Sequence, residues 1–110
     1  MERVYDVALS DGRKAGADGK VPPVGNTVDI KTATYTNDIG DASLSAFWTD
    51  PGFDPTQRAV YYVRVLEIPT PRWSTYDAAK LGVAPPDNVP PTIQERAWSS
   101  PIWYAPVAKK

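Results

Sequence analysis

A chain of 110 residues has room for one domain, and one of this size can withdraw roughly two thirds of its unfolded surface from water. It holds no histidine and no cysteine, which excludes histidine-assisted nucleophilic catalysis, the usual nitrogen- and sulfur-ligated metal sites and any disulfide scaffold. Twelve Lys and Arg against ten Asp and three Glu leave a net charge of -1 with neither sign gathered into a block, so the source of phosphate-backbone attraction is missing and no nucleic-acid partner is expected.

Residues 3–9 open the chain with Tyr5, Val7 and Leu9 on one face and Asp6 and Ala8 on the other, the period-two pattern of a half-buried strand. Ser10-Asp11-Gly12-Arg13 supplies a turn. The stretch to Gly25, broken by Gly16, Gly19, Pro22 and Pro23, reads as a surface loop. Residues 27–35 are dense in β-branched side chains and read as a second, half-exposed strand. After the turn at 37–41, residues 42–49 alternate as a third, and these two are expected to pair as an antiparallel hairpin.

Residues 59–68, Ala-Val-Tyr-Tyr-Val-Arg-Val-Leu-Glu-Ile, are apolar on nearly both faces, the signature of a central strand covered on both sides. Arg64 and Glu67, three apart, fall on opposite faces and are expected at edges of the core. Pro69 and Pro71 end the strand. A helix of about two turns is expected at 75–81, with Ser74 as its N-cap, Asp77 closing a capping box and Gly82 beyond the last turn. Residues 83–91, with four prolines, are expected to cross the surface in extended form. Residues 92–98 and 102–104 read as two strands, or as one long strand bent at Ser99-Ser100-Pro101. The pattern is that of a mainly β fold, a small antiparallel β-sandwich of immunoglobulin-like size with five to six strands and one short helix.

No window approaches the ~20 apolar residues of a membrane span. The chain starts inside a strand-like segment and ends on Lys109-Lys110, which reads as an excised piece of a longer protein, with its compartment left open. Carboxylates cluster at Asp11 and Asp18, Asp38 and Asp41, and Asp50 and Asp54. All lie beside turn residues and lack the spacing of a calcium loop, so turn chemistry is their expected role.

The aromatic residues carry more. Trp98 and Trp103 lie in strand-like segments and are expected in the core rather than on a ligand platform, although exposed aromatic faces on such a fold also hold sugars. Trp73 sits in a proline-bounded loop, where packing gives less reason for a large ring, and Arg72 beside it could fork onto a carboxylate or phosphate. Equally, Trp73 could pin the loop while Arg72 is solvated. Arg72, Trp73, Ser74, Tyr76 and Asp77 are the candidates for a substrate or interface contact, with Trp98 and Trp103 as candidate surface aromatics.

Two motifs, Glu67-Ile68-Pro69-Thr70-Pro71-Arg72-Trp73-Ser74-Thr75-Tyr76-Asp77-Ala78 and Glu95-Arg96-Ala97-Trp98-Ser99-Ser100-Pro101-Ile102-Trp103-Tyr104, together resemble the C-terminal end of a large bacterial family, number three-six-zero-four in the domain-of-unknown-function series. Val24-Gly25-Asn26-Thr27-Val28-Asp29 and the segment 59–68 fit as well. The resemblance implies members several times longer, often exported, whose preceding region is distantly similar to PHP-type metallohydrolases that hold divalent metals with histidine and aspartate. On that reading this chain is a non-catalytic accessory domain with no cofactor of its own, partnered by the upstream catalytic region of the same polypeptide. Its loop 69–77 would reach the active-site cleft, with Arg72 on an anionic group and Trp73 and Tyr76 shaping the pocket. Two other readings are a carbohydrate- or envelope-binding module using Trp73, Trp98 or Trp103, and a lid or dimer contact marked by a large apolar patch.

Overall fold

The computed structural model of the chain describes residues 1–107; the Lys109-Lys110 end lies outside them. The class is as the sequence pattern predicts, mainly β with six short antiparallel strands and one short helix: β1 (Ala59–Tyr61), β2 (Arg64–Leu66), β3 (Thr70–Pro71), α1 (Trp73–Leu81), β4 (Thr92–Ile93), β5 (Arg96–Trp98) and β6 (Ile102–Tyr104). All six strands fall in the second half, and they nest: β1 pairs with β6, β2 with β5 and β3 with β4. Together they form one long two-stranded ribbon, with α1 and the proline-rich segment closing its tip.

Proline sets the breaks in this ribbon. Between the pairs Tyr61↔Ile102 and Arg64↔Trp98 one strand advances three residues (61 to 64) and the other four (98 to 102). The extra residue lies in the segment containing Pro101. Between Leu66↔Arg96 and Thr70↔Ile93 the surplus changes sides, four residues (66 to 70) against three (93 to 96), and that longer segment contains Pro69. A residue that cannot donate to a ladder is tolerated where the ladder is interrupted. Side chains patch both gaps: Ser99 Oγ accepts from the Val63 amide at 2.9 Å and Gln94 Nε2 donates to the Glu67 carbonyl at 2.9 Å. Residues 92–104 are thus the bent long strand, and 59–71 is its partner.

The first half departs from expectation. Residues 3–9 and 42–49 form no strand, and 27–35 is reduced to a single bridge, Asp29↔Thr34. Within 27–35 the cause is local: Asp29 Oδ1 accepts from the amides of Lys31 and Thr32, Ala33 takes a left-handed φ of 53°, and the chain reverses on itself. Thr27 Oγ1 then exchanges hydrogen bonds with the Thr36 amide and carbonyl, both at 3.0 Å. The hairpin therefore lies inside 27–36, not between it and 42–49. Where 3–9 and 42–49 meet, they do so through side chains, Tyr5 on Trp48 with ring centroids 4.8 Å apart.

These loops are hitched to the ribbon at two places. At its open end the Tyr61 hydroxyl donates to Asp50 at 2.8 Å, the Tyr104 hydroxyl to the Pro55 carbonyl at 3.0 Å, and Phe53 meets Tyr104 edge-on. Tyr61 and Tyr104 alternate with Val60 and Trp103 along β1 and β6, so residues 50–55 cover one face of this ladder and leave the other open. Nearer the tip, Gly40 packs against Ile68 with a φ of 79°, and its amide donates to Asp11 at 2.9 Å.

The expected cover on both faces of 59–68 is not supplied by the described residues. β1 and β2 expose Val60, Val65 and Leu66, and between them Tyr62 and Val63; Arg64 and Glu67 are exposed as well. Trp98 and Trp103, expected in the core, are 57% and 78% exposed. The molecule measures 70 × 26 × 25 Å with a radius of gyration of 19.3 Å, against about 13 Å for a compact chain of this length. Its accessible surface is 9233 Å2, where a compact 12.0 kDa chain shows about 6,000 Å2. Burial concentrates at the tip, in Pro69, Pro71, Ser74, Thr75 and Ala78. Thr75 is fully buried, and its hydroxyl donates to the Pro91 carbonyl at 2.7 Å, bolting α1 to the returning strand.

Candidate functional site

The five candidate residues 72–74, 76 and 77 are brought together as the first turn and a half of α1. The helix starts at Trp73, two residues earlier than the pattern predicts, and its N-cap is Arg72, in extended conformation with φ -67° and ψ 154°. Ser74 is therefore not the cap and Asp77 closes no capping box; no side chain caps this end at all. The reason lies before the helix, where the Arg72 amide is already bonded to the Pro91 carbonyl at 2.9 Å, and that bond sets where the chain turns inward. The other end follows the sequence. Gly82 adopts φ 68°, and the Val83 amide reaches back to Ala78 at 3.0 Å, satisfying the last carbonyls.

Helical spacing divides the candidates. Ser74, Thr75 and Ala78 form the packed side. Trp73, Tyr76 and Asp77, at i, i+3 and i+4, share the opposite side, and all three are exposed, Trp73 at 73%. Trp73 therefore does not pin the loop. Ser74 is 7% exposed and its Oγ, like Nε of Arg72, is buried with no hydrogen-bond partner. Trp98 and Trp103 lie elsewhere, on β5 and β6, cross-strand from Arg64 and Val60. Their exposure is shared by Val63, Val65 and Ile102, so it does not single them out as sugar platforms. A surface groove lies at the far end of α1, between residues 82–85 and Ile30 and Lys31, away from Arg72.

The carboxylates behave as turn residues. Asp18, Asp29, Asp41, Asp50 and Asp54 each accept from the amide two residues on, as does the side chain of Asn26. Among the described residues no group of three potential metal ligands converges. Hydrogen bonds from the Ser10 hydroxyl and the Gly40 amide hold the Asp11 carboxyl below its usual range, and bonds from Thr56 do the same for Asp54. In the opposite sense, hydrogen bonding to Asp50 raises the Tyr61 hydroxyl and bonding to Glu2 raises that of Tyr62.

The signs fix the pH profile. A carboxyl depressed on folding adds stability above its unfolded value, lost as pH falls through the folded one; a raised tyrosine adds stability below its unfolded value, lost as pH rises through the folded one. The tethers should therefore hold from about pH 4 to about pH 10. In an acid titration followed by NMR, the Gly40 amide resonance should stay in place down to about pH 4 and move only below it. In Asp11→Asn that acid limb should vanish.

Sequence reasoning missed the uncapped helix start, because Ser74 has the form of a cap and the bond from the Arg72 amide to Pro91 that fixes the start is made at long range. Among the described residues no helix is long and apolar enough to cross a membrane. A family model described as a protein of unknown function, DUF3604, matches residues 1–106. No curated protein and no solved structure matches the chain.

Proposed function

Since the chain belongs to the DUF3604 family, whose model spans nearly all of it, we propose that it is a non-catalytic accessory domain that docks on the upstream region of its own polypeptide. One observation carries this reading: in a segment written for cover on both faces, residues 59–66, Val60 and residues 62–66 are exposed along an open ribbon. The chain exposes about 3,000 Å2 more than a compact chain of its mass. That excess exceeds the ~800 Å2 per partner of an ordinary association and matches the scale on which permanent interfaces are built. The upstream region supplies the missing cover, and any divalent metal and hydrolytic chemistry belong to it. The ribbon acts as a strut that carries the first turn of α1, with Trp73 and Tyr76 exposed, to that region's cleft.

The test is a backbone NMR titration of the isotope-labelled chain with the separately expressed upstream region, following the four indole signals as well. Shifts along 59–66 and 96–104, with Trp98 and Trp103 among them, are expected. An unperturbed ribbon at saturating partner would sink the reading.

A further inference from the structure

We propose that the first turn of α1 is a binding site for a phosphate-type oxyanion, formed by the amides of Trp73 and Ser74, the Ser74 hydroxyl and the Arg72 guanidinium. The opening amides of a helix have no partner within it and carry its positive end. Here the Thr75 and Tyr76 amides bond to the Arg72 carbonyl at 2.9 and 3.2 Å, while those of Trp73 and Ser74 have no partner among the described residues, and no side chain caps them.

A second observation points to a ligand independently of the helix end. Ser74 is more than nine-tenths buried, yet its Oγ has no hydrogen-bond partner. Side chains on a helix lean toward its N-terminus, which directs a second-position hydroxyl at the open amides. A buried polar atom without a partner costs free energy that an incoming acceptor would recover.

The charge has the same sense. Arginine at the N-terminal end opposes the helix dipole, whereas Lys80 in the last turn complements it, and no acidic residue in the first turn compensates. Arg72 Nε is itself buried and unpartnered. Open amides, a hydroxyl and a guanidinium carried by three consecutive residues form a donor set suited to a multiply charged oxyanion. The proposal deepens the docking reading by naming what the presented tip would hold. Its test uses this chain alone, so either can fail while the other stands.

The 15N-labelled chain is titrated with sodium phosphate against sodium chloride at matched ionic strength, with sodium acetate as a second arm. Saturable shifts of the Trp73 and Ser74 amides and of the Arg72 Nε–H are expected with phosphate, acetate binding more weakly. Ser74→Ala should weaken phosphate binding about tenfold. Arg72→Asn places a favourable cap side chain on the same amides, so α1 should be retained while the phosphate shifts disappear. Shifts that match chloride, shifts that persist in Arg72→Asn, or acetate binding as tightly as phosphate would each overturn the assignment.

Discussion

Gly40→Ala should detach the N-terminal loops from the ribbon, at a local cost of about 2–5 kcal/mol from left-handed strain and overpacking together. Gly40 has φ 79°, and a Cβ built there would stand 2.6 Å from Ile68 Cγ2, so dihedral and contact both refuse a side chain. Its amide donates to Asp11, whose carboxylate also accepts from the Ser10 hydroxyl at 2.7 Å. Arg13 in turn reaches the Ser10 carbonyl at 3.1 Å and the Pro22 carbonyl at 3.1 Å. Loss of the Gly40 contact would loosen this cluster as a unit, and Asp11 would titrate closer to an ordinary carboxyl. Both effects are readable in one experiment, by amide exchange at Gly40 and the Asp11 titration. Adding Ile68→Ala should restore part of the loss, because it removes the contact but not the backbone strain. Full restoration, or none, would refute this division of the cost.

How far the sequence could be read depended on where each segment finds its partner. The strand segments of the ribbon were legible because their information is local, an apolar run at 59–66, strand-like segments at 92–98 and 102–104, and prolines at the two places where the register slips; their nested pairing, which joins Ala59 to Tyr104, was not. The C-terminal end of α1 was legible through Gly82. Its start was not, since Ser74 looks like a cap until the bond from the Arg72 amide to Pro91, nineteen positions away in sequence (72 to 91), sets the chain's entry. The failures at 3–9 and 42–49 are of another kind. Alternation states that one face of a strand is to be buried, but not that the covering surface belongs to the same chain. Tyr5, Leu44 and Trp48 retain that pattern and remain exposed. At 27–35 the density of β-branched residues reads as a strand, whereas the side chain of Asp29 organises a turn.

The same logic gives the docking proposal its largest expected effect. Val60 and Trp103 face each other across β1 and β6, on the side opposite Tyr61 and Tyr104, which residues 50–55 cover. Changing the pair to Val60→Lys and Trp103→Glu keeps a favourable cross-strand pairing while removing the apolar face. In the chain alone both side chains are exposed, so ribbon and helix should survive with a change within about 0.5 kcal/mol. If the upstream region covers this face, each lost side chain forfeits about 1.5–3 kcal/mol of burial, and association should weaken at least about a hundredfold. Thermal stability of the intact polypeptide should fall with it. The contrast between the two contexts is the decisive quantity: a surface that tolerates charge in isolation but not in the whole protein is an interface, whereas unchanged affinity would show that this face remains in water.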